Sequence, residues 1–319
     1  MSQTVQPIAK LDAEGLSLQS VSLWNVTLRR VFRRKSAIVG MIILGFLILV
    51  AITAQWLAPY DPIKSMLDVK GYPVVPQKRQ PPCIHLFGCP KDQPQHILGL
   101  DGNIRDEFSR LLYGSRVSLM IGFSTVTFAI VIGTVLGALA GYLGGWVDNV
   151  IMRVMDVLLA FPSLLLAIAI VSVLGPGLIN ALLAIGIVSI PTYARVVRAS
   201  VLSVREMDFV SASRALGGDM TQILFRRILP NALTPLIVQG TLGIATAILD
   251  AAALSFLGLG AQPPTAEWGS MLGYERNQVF TAPHLVFFPG VAIALTVLSF
   301  NLLGDGLRDA LDPRLAHNS

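Results

Sequence analysis

The chain has 319 residues, of which 53% are hydrophobic and only 13% charged, with a formal net charge of +5. Runs at 117–147 and 157–194 contain no Asp, Glu, Lys or Arg; soluble cores do not need such runs, whereas about 20 apolar residues cross a bilayer, so a soluble globular domain is excluded. The positive balance does not point to nucleic acid, because the basic residues sit beside the apolar runs without an aromatic-basic stripe, where membrane orientation explains them.

In chain order, residues 1–35 form a cytoplasmic leader. It carries Lys10, Asp12 and Glu14 and no apolar stretch, so the first span acts as the insertion signal. Trp24, Val26, Leu28 and Phe32 sit among arginines, a pattern that suits either an interfacial helix or a frayed leader. The first transmembrane region covers 36–58, its helix 37–56, and a long external loop follows at 59–116. Five further spans fill 117–314: 117–142, then 150–174 and 178–193 divided at Gly175-Pro176-Gly177, then 233–257 and 284–303. Residues 315–319 are a tail. The predicted fold is an all-α integral membrane protein of six spans.

Positive charge sets the orientation. Arg29, Arg30, Arg33, Arg34 and Lys35 precede the first span; Arg195, Arg198, Arg205, Arg214, Arg226 and Arg227 lie between the fourth and fifth; Arg308 and Arg314 follow the sixth. The turn at 175–177 has no such charge and 258–283 has only Arg276. Both termini are therefore expected in the cytoplasm, with 59–116 outside.

The polar insert between the fourth and fifth spans has its own periodicity. Phe209, Val210, Ser213 and Leu216 recur at helical spacing, Gly217-Gly218 breaks the helix, and Asp219 caps a second one with Gln222 reaching back. Ile223, Leu224 and Ile228 continue the apolar face until Pro230 stops it. The expectation is a cytoplasmic helix-turn-helix with Arg214, Arg226 and Arg227 exposed.

This insert resembles the cytoplasmic EAA signature of ABC importer permeases. Ser211-Ala212-Ser213 stands for EAA, Gly217 for the glycine and Ile228-Leu229-Pro230 for the ending. Ser211 and Ser213 depart from the pattern, and Arg227 occupies the isoleucine position with Ile228 one place later. Arg214 to Gly217 and Ile228 to Asn231 are similar to the oligopeptide/dipeptide subfamily. So are three other stretches: His96-Ile97-Leu98-Gly99 through Arg116, with Leu100 for threonine and Ile104 for glycine; Ala252 to Gly260 with Glu267-Trp268-Gly269; and Asn301 to Asp309 with Asp312-Pro313-Arg314.

The resemblance implies a permease of the bacterial or archaeal cytoplasmic membrane, working by alternating access. Its implied partners are a sister permease, two ATP-binding subunits that hold ATP and Mg, and an extracytoplasmic peptide-binding protein. Coupling to the ATPases would fall to Ser211, Ala212, Ser213, Arg214, Ala215, Leu216, Gly217, Arg226, Arg227, Leu229 and Pro230. The implied cargo is di- or oligopeptides; nickel chelates or other small solutes are the alternative. Independently, the chain contains no Gly-Lys dipeptide and hence no phosphate-binding P-loop, so no catalytic role and no cofactor of its own is expected.

Other residues carry open readings. Asp250, inside the fifth span, either lines the translocation path or makes a structural hydrogen bond, and Pro162 and Ser255 are further path candidates. Pro191, Pro235 and Pro289 also fall within or beside spans. Arg153 and Asp156, three apart, are expected to neutralise one another. Cys83 and Cys89, the only cysteines, lie in the external loop and suit a disulfide; His85 between them does not complete a metal set. An ion-driven secondary transporter would need paired intramembrane carboxylates and inverted repeats, whereas Asp250 stands alone.

Overall fold

The computed structural model describes residues 31–311, so the interfacial-helix pattern at Trp24 to Leu28 and the end motif at Asp312 to Arg314 lie outside them. The long helices are α1 (Lys35–Leu57), α2 (Glu107–Leu143), α3 (Gly145–Leu159), α4 (Ser163–Leu174) and α5 (Leu178–Arg205). They are followed by the short α6 (Asp208–Ala215), α7 (Met220–Gln222) and α8 (Leu229–Ala232), then α9 (Thr234–Phe256), α10 (Trp268–Glu275) and α11 (His284–Leu311). Among the described residues five helices are individually long and apolar enough to cross a membrane, and the number is six when the bent pair α3 and α4 is taken as one span.

Two differences from the expected spans have physical reasons. α2 begins at Glu107 rather than 117, because Asp106 accepts a hydrogen bond from Ser109 N and starts the helix inside the stretch assigned to the loop. At 37 residues it spans about 55 Å and must project well beyond a hydrocarbon core of about 30 Å. The predicted span 150–174 is two helices at 91°, broken where Pro162 cannot continue a hydrogen-bond ladder.

Small residues let the helices approach closely. In α2, Gly133, Gly137 and Gly141 recur every fourth residue and lie against α5: a methyl at Gly133 would sit 2.7 Å from Tyr193 Cβ, and one at Gly141 would sit 3.0 Å from Arg198 O. α1 turns Ala37, Gly40, Leu44 and Ala51 inward, and Gly40 abuts Ser299 and Leu302 of α11. Its opposite face leaves Ile42, Phe46, Leu49 and Ile52 exposed, as lipid contact requires. Gly177 N donates to Leu259 O, tying the α4–α5 turn to the α9–α10 connection.

The loop before α2 is folded. Met66, Leu100 and Ile104 form a small core with Tyr60 and Val69, and Cys83 pairs with His96 through two backbone hydrogen bonds. Ile104 has φ +59, which explains why the resemblance expects glycine there. Cys83 and Cys89 are disulfide-bonded, with their Cα atoms 5.3 Å apart. Closing so short a ring is worth about 2 to 3 kcal/mol in the chain-entropy model. Cys83→Ser should therefore speed proteolytic nicking of this segment while the helical bundle stays assembled; unchanged cleavage rates would show the bond to be dispensable.

His96 beside this bond is 1% exposed and neither ring nitrogen has a partner among the described residues. Burial, with repulsion from His284 and His85, pushes its imidazole down to about 4. The unfolded segment takes up a proton near pH 6.5 and the folded one does not, so stability falls as pH drops from 6.5 towards 4. The loss should reach about 2 kcal/mol at pH 5. Amide exchange at Cys83 and His96 should accelerate accordingly, and His96→Leu should flatten that pH dependence.

Candidate coupling surface and translocation face

α5 ends at Arg205, whose guanidinium donates to the carbonyls of Gly141 and Tyr142 at 3.1 and 3.3 Å, covering the C-terminal end of α2. The chain turns at Glu206 and Met207 into α6. That helix closes as a Schellman motif: Gly218 N donates to Ser213 O and Gly217 N to Arg214 O, both at 3.0 Å, with Gly217 at φ +79. A methyl on Gly218 would meet Ser213 O at 2.8 Å, while Gly217 faces open space.

The second half differs from expectation in two respects. Asp219 caps through Thr221 N at 3.1 Å, and through the Thr221 hydroxyl, rather than reciprocally with Gln222. Pro230 does not end the helix: Ile223–Ile228 is π-helical and runs into α8, which ends at Ala232. A π turn takes in one extra residue. It thereby turns Ile228 inward, fully buried, although Arg227 occupies the isoleucine position and stays exposed.

Val210, Ile223, Leu224, Ile228 and Ala232 enter the same core as Val201 and Val204 of α5, so the pair is footed on the bundle. Its outer surface carries the residues singled out from sequence. Ser211, Ala212, Arg214, Ala215, Leu216, Gly217, Arg226, Arg227 and Pro230 are exposed, and Ser213 and Leu229 are half-buried. Leu216 is 88% and Phe225 58% exposed, which a free surface gains nothing by and an interface uses. Arg214 lies over the Tyr142 ring at 6.0 Å.

The path candidates separate. Asp250 is half-buried and has no hydrogen-bond or ion-pair partner among the described residues. Thr246, one turn earlier on the same face, is exposed. Pro162 is exposed at the α3–α4 bend. Ser255, about 140° round α9 from Asp250, is turned inward instead: it is 4% exposed and its hydroxyl accepts from Ala261 N at 3.1 Å.

Asp156 pairs at 2.6 Å with Arg195, which reaches it from the neighbouring α5, and not with Arg153 on its own helix. Sequence reading missed the stronger pair beside it. Arg198 donates from Nε and Nη2 to the two oxygens of Asp148, each at 2.5 Å. The available signal was an acid in the first turn of a helix following Gly144-Gly145, opposite two arginines three apart.

On the opposite face of the bundle Glu267 accepts from Gly269 N and Ser270 N, both at 2.8 Å, to start α10, and Trp268 Nε1 donates to Leu111 O at 3.0 Å. Gly269 is required there, since a methyl would meet Ala252 Cα and O at 2.5 Å. The resembling motifs around residues 110 and 267 are thus parts of one packing joint.

These helices define a membrane permease fold. A chain of the MetNI methionine ABC transporter, in an inward-facing conformation, matches with a TM-score of 0.53 and 22% identity over 64% of this chain and 98% of its own. Residues 133–317 match the model of the binding-protein-dependent transport system inner membrane component, and residues 22–82 that of the N-terminal transmembrane domain of oligopeptide transport permease C. The chain belongs to the family of binding-protein-dependent transport system inner membrane components. It is 48% identical to the dipeptide transport system permease protein DppC of Alkalihalophilus pseudofirmus, over 93% of this chain and 91% of that one. The di/tripeptide permease protein DppC of Pseudomonas aeruginosa is 47% identical over 88% and 89%, and the glutathione permease protein GsiD of Pectobacterium atrosepticum 44% over 92% and 91%.

Proposed function

We propose that this chain forms, with a sister permease, the translocation path of an ATP-driven importer for di- and oligopeptides. Two ATP-binding subunits, which hold ATP and Mg, dock on α6 to α8, and a binding protein delivers cargo to the opposite face. The chain itself hydrolyses nothing. The observation that carries the coupling role is the helix pair, with its inner residues in the bundle core and Leu216, Phe225 and three arginines facing out. Peptide cargo is supported by the printed activities of the relatives at 44 to 48% identity.

The orientation places both termini and the pair in the cytoplasm, following the arginine asymmetry. Leu216→Cys should resist an impermeant thiol label in intact cells and react after permeabilisation, whereas Leu86→Cys, at an exposed loop position, should react in both. Labelling of Leu216→Cys from outside would reverse the assignment. For the cargo, the full complex in proteoliposomes should show ATPase stimulation by binding protein loaded with dipeptide, and none if the cargo is a nickel chelate.

A further inference from the structure

A cavity of about 140 Å3 opens where the folded loop, the first turns of α2 and α10 meet, on the face opposite the helix pair. Arg79, Asp101, Arg105, Glu107, Tyr274 and Glu275 line it. Most of its charges are spent on one another. Asp101 Oδ1 accepts from the backbone N of Asn103 and Arg105 at 2.8 Å, and Oδ2 from Arg105 Nε at 2.7 Å. Glu275 accepts from Gly102 N at 2.8 Å and from Arg79 Nε at 2.7 Å.

Two kinds of group are left over. Glu107 is 2% exposed, yet its Oε1 has no partner among the described residues. The terminal nitrogens of Arg79 and Arg105 make no hydrogen bond among those residues either, since both side chains bond through Nε. Burying a carboxylate oxygen without a donor is unfavourable, so the wall holds an acceptor and a set of donors awaiting a ligand. With Arg110 included, three guanidiniums face three carboxyl groups; burial pushes Glu107 up to about 8, so it holds a proton until an opposite charge lies against it, and the set balances once Glu107 is ionised. That balance fits a ligand with separated opposite charges better than a net ion.

We propose that this cavity binds a small free α-amino acid as the zwitterion, its ammonium against Glu107 and its carboxylate against the guanidinium ends of Arg79 and Arg105. A space of this size holds a molecule about as large as benzene, which suits glycine or alanine and is too small to enclose a peptide of several residues. The occupant is therefore distinct from the cargo in the path, and the site does not depend on what that cargo is. Because three separate segments form the wall, occupancy would also hold the loop against α10.

The test uses the full chain assembled with its partner subunits in nanodiscs, without binding protein, titrated with radiolabelled glycine. Saturable binding in the millimolar range or tighter is expected, with acetate and methylammonium, which carry one end each, at least about tenfold weaker. Glu107→Gln should weaken glycine about tenfold or more. Arg79→Met, at the partly exposed wall, should do the same and serves where the buried variant fails to assemble; protection of the Cys83 and His96 amides from exchange reports that the loop is folded. No saturable glycine binding up to about 10 mM, binding unchanged by Glu107→Gln, or acetate binding as well as glycine would overturn the proposal. Peptide uptake is measured separately, so neither result decides the other.

Discussion

Gly217→Val is expected to insert, assemble and retain ATPase activity while losing most peptide uptake. The space around Gly217 is open, so a side chain there meets no clash; the cost is the backbone alone, held at φ +79, where a β-branched residue is strained. That strain is about 1 to 2 kcal/mol. It is small beside the stability of the bundle, because Val210, Ile223 and Ile228 still anchor the two halves. The cheapest relief is for the turn to open and for Leu216, which has nothing packed on it, to swing away. If the docked geometry bears the whole strain, uptake falls by about 5- to 30-fold. Gly217→Asn, which tolerates the left-handed region, should lose far less. Normal uptake by a fully assembled Gly217→Val complex would show that the turn is not a mechanical joint. Gly218→Val is no substitute test, because there the methyl meets the Ser213 carbonyl and the fold itself is challenged.

Why the turn could be read from sequence and its surroundings could not follows from what each depends on. Gly217 and Asp219 act on their own neighbours, so residue type and order suffice. The spans α1, α9 and α11 were equally legible, because continuous apolarity over membrane length needs no knowledge of partners. The bend at Pro162 was not: apolar residues continue through 157–174, and hydropathy is blind to direction. The early start of α2 was hidden for the opposite reason. Its first turns carry Glu107, Arg110 and Arg116, which look like a loop until Pro62 and Pro264 are seen to accept from Arg110 and the α1 carbonyls from Arg116. Charges on α5 were read as an orientation signal alone. Arg195, Arg198 and Arg205 carry that signal and also hold α3 and α2 in place, a second use that depends on residues 39 to 64 positions away.

Of those contacts the Asp148–Arg198 pair should matter most to transport. α3 buries only Met155 fully, so apolar packing alone holds it weakly against the rest of the bundle. The bidentate pair fixes its N-terminal end to α5, with the two side chains 15% and 34% exposed. α5 continues through one short turn into α6, so a push on the helix pair reaches α3, and through the Pro162 bend α4, by way of this strut. A charge-assisted pair this shielded is worth about 2 kcal/mol. Asp148→Arg, which also sets like charges face to face, should reduce uptake by tenfold or more, about 1.4 kcal/mol per decade, with ATPase activity far less affected. Adding Arg198→Asp restores opposite charge with the polarity reversed and should recover most of the loss, less the penalty of about 0.5 kcal/mol for an arginine in the first turn of α3. The neighbouring Arg195–Asp156 pair is half-exposed on both sides, and pairs of that kind contribute about 0 to 1 kcal/mol. Asp156→Asn should therefore leave uptake within about fivefold. The strut would be refuted by full uptake in Asp148→Arg, and equal losses in Asp148→Arg and Asp156→Asn would show that α3 responds to any change of charge rather than to this contact.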